Sequence, residues 1–112
     1  LAMNDFEKMF ERIRDELIEH RDIYDRNLAR MSPEAQRSAV QIRDIFTDRS
    51  KSGEQCRNEI FEIKQRLPLE IRVEINDHKH QTMREIWRAR RGEEERDGRL
   101  RRSASRQMRR TN

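Results

Sequence analysis

Cysteine occurs once in these 112 residues, tryptophan once, proline twice and glycine three times. A lone Cys56 has no intramolecular disulfide partner, so packing and helix caps must hold the fold. Gly53, Gly92 and Gly98 are too dispersed to build a glycine-rich phosphate loop. Aromatic residues make up 5% and the hydrophobic set 32%, which excludes a thick core. No apolar run approaches the roughly 18 residues that a membrane span needs. Leu, Ile, Val and Phe together number 22, and 21 of them precede Trp87. One domain over residues 1–87 is therefore expected. Residues 88–112 form a tail that buries too little to offset its ordering entropy, and it is expected to be disordered.

Charge is what the chain has in abundance, at 43% of residues. From Arg84 onward there are 11 arginines against 5 acids, a local excess of +6, which leaves −2 for the rest of the +4 net charge. The body is near neutral and the tail strongly basic, so the pI of about 9.8 describes the tail.

Hydrophobic spacing specifies helices. Phe6, Phe10, Ile13, Leu17, Tyr24, Leu28 and Met31 advance by three, four or seven residues, with His20 on the same face. This predicts one long helix over residues 5–30, capped by Asp5 and able to meet a helical partner or a second copy. Ser32-Pro33-Glu34 starts a second helix, with Ala35, Ala39, Ile42 and Phe46 on one face. Ser52 and Gln55 form a capping-box pattern that opens a third, in which Cys56 holds an apolar position; Pro68 stops it. Residues 67–75 alternate as a strand would, but no other segment alternates to pair with them. A fourth helix using Ile71, Ile75, His78 and Ile86 is the expected alternative. The fold class is thus all-α, a small four-helix domain with a long first helix and a basic tail.

Ser32-Pro33-Glu34-Ala35-Gln36, then Glu59-Ile60, then Leu67-Pro68-Leu69-Glu70-Ile71-Arg72-Val73-Glu74-Ile75 follow one another in residues 31–76. Over these roughly 45 residues the chain resembles the nematode SXP family of small secreted helical proteins, whose shared region is described as a cation-binding domain. Met31 stands where that family usually has Leu, and the basic tail is not a family feature. The resemblance implies a compact helical fold, secretion and a non-enzymatic binding role. Secretion predicts a leader encoded upstream of Leu1; the alternative, an intracellular adaptor, predicts none.

The loop 48–59 has the length of a helix-loop-helix calcium site, with Asp48, Ser50, Ser52, Gly53 and Glu59 at the corresponding positions. Asp48 and Glu59 alone bring charge there, while Arg49, Lys51 and Arg57 oppose it, and Ser52 is also needed as a helix cap. A capped turn with at most weak calcium or magnesium affinity is expected, and no resident cofactor. Asp77, His78 and His80 resemble a metal cluster, yet histidines two apart on a helix diverge, which leaves His78 a core-edge residue. In the tail, Arg88, Arg90, Arg91, Arg99, Arg101 and Arg102 are candidates for nucleic acid or an acidic protein surface, the other reading being a solvated tail. Trp87 at its base is the one stacking platform. A protein partner is expected, and no enzyme activity.

Overall fold

A computed structural model describes residues 3–110, with side chains described as far as Arg99 apart from Asp97. Five helices follow in order: α1 (Asp5–Glu19), α2 (Arg21–Leu28), α3 (Pro33–Phe46), α4 (Gly53–Gln65) and α5 (Leu69–Arg110). The fold is all-α, and residues 67–75 open α5 rather than form a strand.

The expected helix over residues 5–30 is two helices. At His20 the backbone leaves helical geometry (φ −111°, ψ 35°), and Ile23 donates to the His20 carbonyl three residues back instead of four. No glycine or proline causes this. The two halves serve different neighbours, α1 packing on α4 and α2 on α5, and one straight helix cannot present its stripe to both. The cap also shifts by one residue: the Asn4 side chain accepts from the Glu7 amide at 2.8 Å, placing Asp5 inside the first turn.

The other boundaries follow local chemistry. Ser32 caps α3 by accepting from the Ala35 amide, and Pro33 occupies the first turn. Ser52 caps α4 by accepting from the Gln55 amide at 3.1 Å. Glu74, in the second turn of α5, reaches back to accept from the Ser32 amide at 2.6 Å and the Ser32 hydroxyl at 2.9 Å. The two ends of residues 31–76 therefore meet, with a carboxylate at the positive end of the α3 dipole.

Leu17, Ile23, Tyr24, Leu28, Ala39 and Ile86 form the buried core. Inside it the Tyr24 hydroxyl donates to the Ala39 carbonyl at 2.8 Å, tying α2 to α3. Asn27 donates to the Thr82 hydroxyl and the Glu85 carboxylate, tying α2 to α5. These polar ties matter because a core this small supplies little apolar burial.

Helix α5 runs on past Trp87, where a frayed tail was expected. Ala89 packs against the core, and Arg90 pairs with Glu16 of α1 and with Glu94 one turn along. Pairs within one helix are weak; the contacts of Ala89 with the core and of Arg90 with α1 hold this stretch of α5 to the body.

Candidate functional site

Arg14 governs the loop that the sequence marks as a cation site. It is 1% exposed, a buried cation on α1. Its Nε donates to the Phe46 carbonyl at 3.0 Å, Nη1 to Glu11 Oε1 at 2.6 Å, and Nη2 to the Lys51 carbonyl at 2.8 Å and Cys56 Sγ at 3.3 Å. The guanidinium also lies 4.9 Å from the Phe10 ring centroid. The C-terminal end of α3 and the inward carbonyl of the loop are thus bound to a protein cation.

Each of the four loop candidates makes its bonds to the protein's own groups. Asp48 accepts from the Ser50 amide and hydroxyl at 2.9 and 2.6 Å, and these bonds hold its carboxyl below the usual range. Ser52 is committed to its cap. Glu59 pairs with the Lys51 ammonium at 3.0 Å, which raises that lysine's pKa. The amides of Gly53 and Glu54 both donate to Glu7, which leaves α1 to sit on the α4 N-terminus. This geometry makes the loop a clamp between helices.

Cys56 is fully buried and donates to the Ile45 carbonyl at 3.3 Å; burial pushes its thiol pKa up, which makes it a poor nucleophile. His80 is exposed and His78 buried, so the two histidines part as helical geometry requires. The sequence reading missed Glu16, Glu19 and His20, whose ligand atoms lie within 4.8 Å of one another at the α1–α2 break. Arg90 already supplies the compensating charge there. In the tail Arg88, Arg91 and Arg99 are exposed. Arg101 and Arg102 lie outside the residues whose side chains are described.

A groove of about 530 Å3 lies between α1, α3 and α5. Its apolar wall includes Ile13, Leu17, Ile42, Phe46, Met83 and Trp87. Trp87 is 53% exposed at its edge. Among the described residues the polar lining is cationic or neutral, with Arg43, Lys64, Lys79, His80 and Arg84 but no Asp or Glu. The volume lies within the range of roughly 300–1,000 Å3 typical of small-molecule sites. Ile42 and Phe46 were legible as an apolar face, but their exposure to a groove depends on where α5 crosses.

His78 forms part of the floor, with Nε2 3.3 Å from the Tyr24 carbonyl and its ring edge-on to Tyr24 at 4.6 Å. Burial lowers its pKa below 6.5, against the opposing effects of the Tyr24 carbonyl and Glu85. The unfolded chain therefore takes up this proton first as pH falls. Stability is expected to be unaffected by His78 above about pH 7 and to fall below about pH 6.5, by at most about 1.4 kcal/mol per pH unit. Urea unfolding of wild type and His78→Gln across that window checks this: the variant should slope less steeply, and equal slopes would contradict it.

Among the described residues no helix is long and apolar enough to cross a membrane. Comparisons with protein-family models, with curated proteins and with solved structures each found no match.

Proposed function

We propose that this chain is a non-enzymatic binding protein that takes a small apolar ligand in the groove between α1, α3 and α5. The observation that carries this reading is the groove itself: a small-molecule volume, walled by Ile42, Phe46 and Met83, with Trp87 half-exposed at its edge. A chain with so little apolar surface to spare leaves a tryptophan and a methionine facing a concavity instead of closing the helices over them. A ligand that covers them removes that surface from water at about 25 cal/mol/Å2.

Small-ligand binding belongs with the secreted, SXP-like reading of residues 31–76, and secretion is part of the proposal. A cation role for the loop has less support, because the Phe46 and Lys51 carbonyls are bound to Arg14. The adaptor reading through the tail is weakened by Arg90, which is engaged with Glu16 and Glu94.

Trp87 is the single tryptophan, so its emission reports on the groove. Titration with decanol or a neutral naphthylamine dye is expected to shift that emission to the blue. Met83→Trp should fill the groove and weaken dye binding about tenfold, equivalent to about 50 Å2 of lost apolar contact. Unchanged Trp87 emission in wild type at saturating probe would overturn the proposal.

A further inference from the structure

The groove presents several cations and, among the described residues, no acid in its lining. Of these cations, Arg43 pairs with a carboxylate, that of Asp25 at 2.7 Å. Lys64 and Lys79 do not pair with one among the described residues. Lys64, on α4, is half-buried and donates to the neutral Asn76 Oδ1 at 3.2 Å. Arg84 donates to the neutral Gln81 Oε1 at 2.9 Å. Residues 1–83 hold 17 acids, yet no acid lines this groove.

Lys64 and Lys79 are also close enough to repel. Burial, and then the charge of Lys79, lowers the pKa of Lys64. Two ammonium groups that line one apolar groove, with no acid among its described lining residues, form a receptor for an anion that enters with the ligand. Further along α5, Met83 and Trp87 continue the apolar wall, about 12 Å from Lys79 to Trp87 at 1.5 Å per residue. Lys64 and Lys79 beside an apolar wall of that length match a single-chain amphiphile with a negative head.

We infer that the groove is built for a single-chain acyl carboxylate, with the carboxylate between the Lys64 and Lys79 ammonium groups and the chain along Met83 and Trp87. The inference rests on the groove reading above and adds the class of ligand.

The test compares decanoate with decanol on wild type and on the Lys64→Gln/Lys79→Gln double variant, read by Trp87 emission and calorimetry. Wild type is expected to bind decanoate about tenfold more tightly than decanol, the effect of one charge-assisted hydrogen bond. The double variant should lose that factor, binding decanoate no more tightly than decanol, with a thermal midpoint no lower than that of wild type as evidence of folding. From octanoate to dodecanoate, affinity should rise up to about fourfold per methylene. Equal binding of decanoate and decanol by wild type, or decanoate binding untouched by the double substitution, overturns the carboxylate assignment and leaves the apolar groove standing. Failure of both probes to bind removes the groove reading and the inference with it. Trp87 emission that shifts with protein concentration, together with dimer sedimentation, assigns the groove to a second copy and overturns both.

Discussion

Arg14→Leu is expected to destabilise the fold by about 3–5 kcal/mol, in the range found when one partner of a buried ionic network is removed. The leucine would fill much of the volume, so lost packing is a minor part of the effect. The larger part comes from the Phe46 and Lys51 carbonyls, which lose their charged donor, and from Cys56, which loses one of its two polar contacts. Glu11, about one-third exposed, recovers water and contributes less. Arg14→Lys keeps the charge but not the fork: one ammonium cannot reproduce the several in-plane donors with which Nε and Nη2 reach separate acceptors. It is expected to lose about 2–3 kcal/mol, more than the usual cost of such a swap at a surface. Because whole domains are stable by only about 5–15 kcal/mol, either change should shift the urea midpoint far enough to read by circular dichroism. A loss below about 1 kcal/mol for Arg14→Leu would show that water replaces the guanidinium at no cost, contrary to its 1% exposure.

Gly53→Ala is the second large effect, and its sign is opposite to the usual expectation. Replacing a helical glycine by alanine normally stabilises by about 0.4–1 kcal/mol by restricting the unfolded chain. At Gly53 the added Cβ would stand 2.7 Å from Phe10 Cγ and 2.9 Å from both Phe10 Cβ and Glu7 Oε2. Phe10 cannot retreat freely, since its ring lies tilted against Phe46 at 4.6 Å and faces Arg14. Helix α1 has to lift from the N-terminus of α4, stretching the bonds from the Gly53 and Glu54 amides to Glu7. The expected loss is about 2–3 kcal/mol, as for other overpacked contacts. Gly92 provides the control, because a Cβ there meets nothing within 4 Å. Gly92→Ala should be neutral or stabilising by up to about 1 kcal/mol. Chemical denaturation of the two variants side by side decides the matter, and a stable Gly53→Ala protein would show that α1 and α4 are not in such close contact.

The helix starts at Ser32 and Ser52 and the stop at Pro68 were legible because a cap is a local device, complete within three or four residues. The His20 break was not, because it depends on α1 and α2 choosing different neighbours, which no local pattern records. Arg14 did leave a signal: it lies four residues after Phe10 and three before Leu17, on the apolar face that buries both. A charge at such a position is either an error in the stripe or a buried hub, and here it is a hub. The loop 48–59 showed the length and residue types of a cation site, but its spacing could not show that a guanidinium from α1 takes the inward carbonyls. For the groove, Ile42 and Phe46 were visible as a face and Trp87 as an isolated aromatic. Their convergence, together with Lys64 and Lys79, depends on α5 crossing α3, a contact between residues more than twenty positions apart.

The central claim is that the α1–α3–α5 groove takes an apolar ligand. The most direct measurement is the amide and indole NMR spectrum of the full chain during a decanol titration. The Trp87 indole and the amides of Ile42, Ile75 and Met83 are expected to move together along one binding curve, while Gly53 and Glu59 in the clamp stay in place. Groove signals that stay still at saturating decanol, or shifts confined to the loop 48–59, would contradict the account.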